Sequence, residues 1–133
     1  MRTNFADDAQ WFALLEGVAK ESDHGFRADV QAINNADFRN AEWQSQQAAV
    51  PQNRFGAAIL LVAETAAFSS PDFPILVVDT LRDRIPFRCI AAELWAVENN
   101  LNLASMDWQD FTTSADQDEV FRGFSSPATL LRQ

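Results

Sequence analysis

Residues 57–63, Ala-Ala-Ile-Leu-Leu-Val-Ala, are the longest apolar run in the chain and have the length of one β-strand. Similar runs follow at 75–78, Ile-Leu-Val-Val, and at 87–91, Phe-Arg-Cys-Ile-Ala, each directly after a proline. Runs without polar alternation are typical of strands that are covered on both faces. The connections between the runs, of about eleven and about eight residues, are short for a helical crossover. The three runs therefore predict strands of a mixed sheet, some of them antiparallel.

Apolar residues at helical spacing predict helices before and after these strands. A helix over 8–20, with Asp7 as its N-cap, is predicted by a stripe of four residues: Trp11, Leu14, Leu15 and Val18. A second helix is predicted over 92–101 by the same periodicity. A short third helix begins at Asp107, and its spacing directs Trp108 inward.

The remaining segments complete the predicted fold. Alternation over 26–33 predicts a further strand, 120–124 predicts a last strand or an anchored loop, and the Gln- and Ala-rich segment 36–53 predicts a loop with a short helix. The pattern predicts an α/β (or α+β) fold, with a mixed sheet of about four to six strands and two or three amphipathic helices. We expect a single domain over 1–124 and a loosely held tail at 125–133.

The charge balance limits the kind of partner. Ten basic residues face nineteen acidic ones, which gives a net charge of −9 and a sequence pI near 4.4. No Lys or Arg occurs between Arg88 and Arg122, whereas seven acidic residues do: Glu93, Glu98, Asp107, Asp110, Asp116, Asp118 and Glu119. Such a segment repels phosphate and attracts a basic surface, although excess negative charge also serves solubility alone. The sequence predicts no nucleic-acid binding and an acidic face over residues 93–119.

Signals for catalysis, export and membrane insertion are absent from the sequence. There is one histidine, His24, in a turn, and one cysteine, Cys89, in a predicted strand, where a small core residue is the usual role. None of the four glycines has the spacing of a phosphate loop, so no cofactor is predicted and a non-enzymatic role is favoured. The apolar runs are too short to span a bilayer and the N-terminal residues lack a signal-peptide core, so we expect a cytoplasmic protein that binds no membrane.

Carboxylates are the abundant reactive groups, and they give the alternative function. Glu64 and Asp79 each follow an apolar strand directly, at the edge where α/β sheets commonly bind ligands. Together with Glu93 or Glu98 they would supply oxygen ligands to Mg²⁺ or Ca²⁺, or an acid–base pair. The spacing matches no known metal loop, and strands also end in polar residues simply because they reach the surface.

Polar residues on the second helix give a candidate recognition surface. Trp95 and Glu98 share a helix face that differs from the apolar stripe, and Asn99-Asn100 is unfavourable in a helix interior. One interpretation is that the helix ends at these asparagines and that they cap it. The other is a binding surface, since Trp with polar neighbours is typical of interface hot spots. The full candidate set is Glu93, Trp95, Glu98, Asn99, Asn100, Asp107 and Trp108. On this interpretation both tryptophans face solvent, which for Trp108 is the alternative to the inward direction predicted from the helix spacing.

A resemblance to a known family is most specific between Phe87 and Phe124. Its segments are Phe87-Arg88, the helix from Ala92-Glu93-Leu94-Trp95 to Leu101, Met106-Asp107-Trp108-Gln109-Asp110-Phe111 and Val120-Phe121-Arg122-Gly123-Phe124. The opening residues 3–11 and the strand 75–79 are similar as well. The pattern resembles a family of small bacterial proteins of unknown function. The resemblance implies a single-domain cytoplasmic protein, and it implies no catalytic residue, cofactor or partner.

The leading hypothesis is a non-enzymatic protein-binding module, immunity- or antitoxin-like, whose acidic face meets a partner with a basic surface. The alternative is a carboxylate-based, metal-assisted enzyme that uses Glu64, Asp79, Glu93 and Glu98. A further alternative is a small-ligand pocket lined by Phe and Trp. The convergence or separation of the four carboxylates distinguishes the second hypothesis from the other two.

Overall fold

The structure of the protein is a computed structural model, which describes residues 1–22, 25–28, 30, 32–44, 59–80, 84–102 and 108–123. The predicted tail at 125–133 and most of the Gln-rich segment lie outside these residues. The helices and strands are, in chain order, α1 (Asp8–Ala19), β1 (Ile59–Val62), β2 (Pro74–Asp79), β3 (Phe87–Ile90), α2 (Leu94–Asn102), α3 (Trp108–Thr113) and β4 (Val120–Phe121). Short 3₁₀ turns occur at Ala36–Phe38, Thr65–Phe68 and Ala91–Glu93.

The strands form one mixed sheet in the order β1-β2-β3-β4. β1 and β3 both pair with β2 in antiparallel orientation, and β4 pairs with β3 in parallel. Leu61 lies opposite Val77, and Cys89 joins Ile75 on one side to Phe121 on the other. Four strands and three α-helices in the described residues confirm the predicted mixed sheet, with the helices and strands segregated as in an α+β domain.

Both faces of the sheet are covered, which explains the absence of polar alternation in the apolar runs. All six residues of β2 are buried. One face packs against the helices through a cluster that includes Ile75, Val77, Phe87, Cys89 and Phe121 from the sheet and Trp11, Leu14, Leu94, Val97, Trp108 and Phe111 from the helices. The opposite face, Leu60, Val62, Leu76 and Val78, packs against Met1 and Trp43.

Helix α1 forms as its sequence predicts. The Asp7 side chain accepts a hydrogen bond from the backbone N–H of Gln10 at 3.2 Å and caps the N-terminus. The stripe Trp11, Leu14 and Val18 is buried against the sheet, whereas Phe12 on the other face is 59% exposed.

A buried arginine connects the N-terminal residues to helix α1. Arg2 is only 2% exposed, and its guanidinium donates to the Asp8 carboxylate at 2.7 Å and to the Asn4 carbonyl at 2.9 Å. The same guanidinium lies 4.4 Å from the ring centre of Phe5, a cation–π distance. The backbone of Arg2 forms a parallel bridge with Ala63, just beyond β1. Arg2 therefore fixes the start of the chain to both the sheet and α1.

The predicted strand over 26–33 is wrong for the described residues of that segment, which form no strand. Their backbone groups bond to other parts of the chain instead of to a ladder. The Phe26 carbonyl accepts from Ser22, the Arg27 carbonyl accepts from the Asn99 side chain, and the Ile33 carbonyl accepts from Arg2.

The second predicted helix is confirmed as α2, but the interpretation in which it ends at Asn99-Asn100 is wrong, because α2 continues to Asn102. Asn99 is accommodated because its side-chain amide donates to the Trp95 carbonyl at 2.7 Å, one turn earlier, and to the Arg27 carbonyl at 3.3 Å. Of the two alternatives for 120–124, the strand is the one observed, as β4 over Val120–Phe121. In the described residues no helix is both long and apolar enough to cross a membrane.

Replacing Arg2 with alanine should lower the free energy of unfolding by about 2–4 kcal/mol, because buried charge-assisted hydrogen bonds, the cation–π contact and packing are lost together. Urea unfolding followed by circular dichroism measures this. Arg39→Ala is the matched control, since the Arg39 guanidinium lies 5.2 Å from the same Phe5 ring but the residue is exposed. The control substitution should lower the free energy of unfolding by about 0.5 kcal/mol or less. Equal losses in the two variants would contradict the assigned role of Arg2.

Candidate functional site

A concave surface lies between the start of β3 and helix α3. We call it the α3 concavity; its volume is about 750 Å³. The residues that define it best are Ile85, Phe87, Trp108, Gln109, Thr112 and Glu119. Concave surfaces of this size with an apolar floor and a few polar groups are the usual binding sites of proteins.

Phe87 and Trp108 form an aromatic floor for the α3 concavity, and further rings pack behind it. Phe87 meets Trp108 edge-to-face at 4.8 Å and stacks in parallel on Phe111 at 5.9 Å. Phe111 in turn meets Phe121 of β4 edge-to-face at 5.2 Å. All four rings are buried to at least nine-tenths. The floor is therefore continuous with the core, and such ring geometries are individually favourable.

One hydrogen bond positions the rim of the concavity. The indole N–H of Trp108 donates to the Ile85 carbonyl at 3.0 Å and so ties the segment before β3 to helix α3. With its carbonyl held inward, Ile85 presents its side chain to solvent, where it is 85% exposed. Pro86, the next residue, restricts the backbone further. Ile85 therefore offers apolar area at the rim that a partner can cover.

The charged groups around the concavity are of two kinds. Arg84 lies on the lining, but its guanidinium is 3.5 Å from the Asp79 carboxylate and is engaged there. Glu119 is exposed, has the left-handed backbone angle φ 66°, and has no ion-pair partner among the residues the structure describes. Of the two charged residues that line the concavity, Glu119 is therefore the one whose charge is less compensated.

The turn before β4 gathers further carboxylates. Arg122 donates to Asp116 at 2.7 Å and to both carboxylate oxygens of Asp118 at 2.9 and 2.6 Å. The hydrogen bonds from Arg122, together with the backbone N–H of Val120, lower the pKa of Asp118. Asp118 is therefore ionised throughout the physiological pH range. Helix α3 adds the exposed Asp110 close by in the sequence.

The predicted recognition residues are distributed over different parts of the molecule. Trp108 is 6% exposed, so its interpretation as a solvent-facing anchor is wrong, whereas the inward direction predicted from the helix spacing is confirmed. Asn100 and Asp107 lie outside the residues whose side chains the structure describes. Among the predicted recognition residues whose side chains the structure describes, Trp108 is the one that lines the α3 concavity.

The other predicted residues belong to α2 and the turn before it. Trp95 is half-buried and stacks on Phe26 at 5.9 Å, and Asn99 bonds to the Trp95 carbonyl. Glu98 is buried, so it is not part of an exposed acidic face. Glu93 is half-buried, and its carboxylate lies close to Gly123. A Cβ atom at position 123 would lie only 3.3–3.5 Å from the Glu93 carboxylate atoms.

The structure separates the four carboxylates of the predicted metal site. Asp79 pairs with Ile59 at one end of β1, whereas Glu64 follows the other end, because the two strands are antiparallel. Glu64 forms a two-point ion pair with Arg88 at 2.7 and 2.8 Å. In the described part of the chain no three His, Cys, Asp or Glu residues are grouped so as to hold a metal ion. Parallel strands bring their carboxyl ends to one edge of a sheet, whereas the antiparallel β1 and β2 place Glu64 and Asp79 at opposite edges.

Sequence reasoning missed Ile85, Phe87, Gln109 and Thr112 as parts of one site. A signal for Ile85 was present, since this large apolar residue directly follows the charged residues 82–84 and precedes Pro86. Its proximity to α3 depends on a hydrogen bond between residues that are 23 positions apart, and no local pattern indicates such a contact.

Cys89 occupies the core, as its strand position predicts. It is fully buried, and burial together with the negative charge of Glu93 raises the pKa of its thiol. A thiol that is neutral and inaccessible does not act as a nucleophile. Cys89 is therefore a packing residue.

Native protein at pH 8 should react with a thiol reagent such as DTNB at least about 100-fold more slowly than protein unfolded in urea, because the thiolate forms only on opening. The absorbance of the released thionitrobenzoate measures the rate. The chain has one cysteine, so no other thiol contributes. Full reaction of the native protein at the unfolded rate would show that Cys89 is accessible and reactive.

Comparison with known proteins identifies the family. A family model described as Domain of unknown function (DUF6924) matches residues 1–124, and the chain belongs to this family. The resemblance to a family of unknown function is thereby confirmed. No curated protein and no solved structure matches the chain.

Proposed function

We propose that this member of the DUF6924 family is a non-enzymatic protein-binding module that meets a partner with a basic surface. The observation that carries the proposal is the exposed group of carboxylates on α3 and on the turn before β4, which we call the acidic surface: Asp110, Asp116, Asp118 and Glu119. Arg122 is the only Lys or Arg within 108–123, so this stretch retains a net negative charge. The net charge of −9 for the whole chain adds a long-range field of the same sign.

The acidic surface is held in a fixed conformation, which favours recognition over a purely solubilising role. The Asp116 N–H donates to the Val120 carbonyl at 3.0 Å, and the Glu119 N–H donates to the Asp116 carbonyl at 2.9 Å. The Arg122 guanidinium holds Asp116 and Asp118 from the other side. A preorganised charged turn loses less conformational entropy on binding than a mobile one does.

The sign of the charge defines the partner. Phosphate backbones are repelled by this surface, which makes nucleic acid an unfavourable partner. A basic protein is attracted over long distances and its association rate rises accordingly. An immunity- or antitoxin-like role, in which a small acidic chain covers a basic protein, is the specific form of the proposal.

Capture from a lysate of the source cells tests the proposal, with the immobilised chain compared at about 0.05 M and about 0.5 M salt. A protein retained at low salt should be lost at high salt and lost from the Asp110→Asn/Glu119→Gln variant. The matched control is Glu16→Gln/Glu21→Gln, which removes two exposed carboxylates of the α1 region. The retained protein is then purified, and its affinity for all three forms is measured by calorimetry.

We expect the Asp110→Asn/Glu119→Gln variant to weaken binding of the purified protein by about tenfold and the control by less than about twofold. The proposal fails if no protein is retained at low salt. It also fails if the purified protein binds the two double variants equally well.

Small-ligand binding is the second candidate function, and the volume of the α3 concavity favours it, because about 750 Å³ is in the range of small-molecule pockets. No described contact favours the carboxylate-based, metal-assisted enzyme in the same way. The aromatic floor would suit a flat apolar ligand, with Gln109 and Thr112 as polar contacts.

Native mass spectrometry of the freshly purified chain tests small-ligand binding. A bound small molecule should appear as an added mass in the wild type and be absent from Ile85→Asp, because a charge at the rim opposes an apolar ligand. Phe12→Asp, with a similarly exposed apolar residue on α1, is the control and should retain the added mass. An unliganded wild-type mass, or an adduct of equal intensity in Ile85→Asp, would count against this second candidate.

A further inference from the structure

We infer that the α3 concavity binds a short apolar segment of the protein partner that is flanked by lysine or arginine residues. The inference rests on the proposed function, and it names the part of the partner that is recognised. It is supported by three features of the site: the preformed floor, the exposed rim residue and the negative charge of Glu119 on the lining.

The floor is already in its binding conformation. Phe87 is fixed from two sides, by the edge-to-face contact with Trp108 and by the stacked ring of Phe111. The indole N–H of Trp108 is satisfied by the Ile85 carbonyl, so an apolar group can cover this floor without leaving that donor unpaired. A preformed apolar floor with satisfied polar atoms is the arrangement found at the centre of interface hot spots.

Ile85 supplies apolar area at the rim. Its side chain is 85% exposed, so nearly all of its surface is available to be covered by a partner. The backbone that carries this side chain is held by the hydrogen bond from Trp108 to the Ile85 carbonyl at 3.0 Å. Covering Ile85 removes its apolar side chain from water, which is a favourable contribution to association.

The charges select the flanks of the apolar segment. Arg84 is engaged with Asp79 and so contributes little free positive charge. Glu119 lines the concavity, and Asp110 extends the negative surface along α3. Lysine or arginine next to the apolar residues therefore gains attraction, whereas acidic flanks are repelled. The same charge opposes a second copy of this chain as the occupant, since both copies carry −9.

Selection of random linear peptides displayed on phage against the immobilised chain tests the inference. We expect the selected sequences to contain apolar residues next to Lys or Arg. Fluorescein-labelled synthetic copies of the strongest binders are then titrated with wild type, Ile85→Asp and Phe12→Asp, and binding is followed by fluorescence polarisation. Ile85→Asp should weaken binding at least about tenfold, and Phe12→Asp by less than about twofold.

A charge reversal tests the flanks with a second matched pair. Glu119→Lys should weaken the same peptides by about three- to tenfold, whereas Glu16→Lys on α1 should leave binding within about twofold. Circular dichroism and thermal unfolding verify that every variant is folded, which is expected because all four substituted residues are exposed.

Three results overturn the inference: peptides that bind Ile85→Asp as tightly as wild type, selected sequences without basic residues, and a selection that yields no peptide above the background of the bare support. Peptide selection needs no natural partner, so its failure is distinct from failure of the proposed function. If Asp110→Asn/Glu119→Gln weakens the binding of a natural partner but Ile85→Asp does not, the inference about the α3 concavity is overturned and the proposed function is not.

Discussion

Strand β2 must be covered on both faces, and the rest of the structure is arranged around that requirement. All six of its residues are buried, and it is paired on both edges by β1 and β3. Its apolar side chains alternate between the two faces, so Ile75 and Val77 need the helices, whereas Leu76 and Val78 need Met1 and Trp43. Because Met1 covers the face of Leu76 and Val78, the next residue, Arg2, lies beside the end of β1 and bridges Ala63 there.

The same requirement creates the α3 concavity. Phe87 lies at the start of β3, at the end of the helix-covered face, and α3 packs its Trp108 and Phe111 against it. Strand β3 begins at Phe87, so the aromatic cluster lies beside this end of the strand, where Phe87 and Trp108 line the concavity. A rigid apolar floor at the margin of the core is thus a consequence of how the helix-covered face is completed. Ile85, held by Trp108, extends it into solvent.

The predictable parts of the fold are those that local periodicity determines. The apolar runs at 57–63, 75–78 and 87–91 predict β1, β2 and β3, and the stripe of α1 predicts that helix to within one residue. Alternation failed at 26–33, because a strand needs a partner edge and the backbone groups of that segment bond elsewhere. The interpretation of Asn99 as a helix end is wrong for a related reason. The free-energy cost of an asparagine inside the helix is offset by the hydrogen bond from its side-chain amide to the Arg27 carbonyl, which is distant in the sequence. Contacts of this kind are invisible to a local pattern.

The acidic run between Arg88 and Arg122 shows why a linear charge count describes a surface poorly. Glu98 is buried and Glu93 is half-buried, so neither adds to an open face. Arg122, the residue that ends the run, turns back and holds Asp116 and Asp118. Glu119 therefore retains its negative charge beside the apolar rim formed by Ile85. Because exposed charges alone contribute little affinity, a partner gains most where it can satisfy Glu119 and cover Ile85 in the same contact.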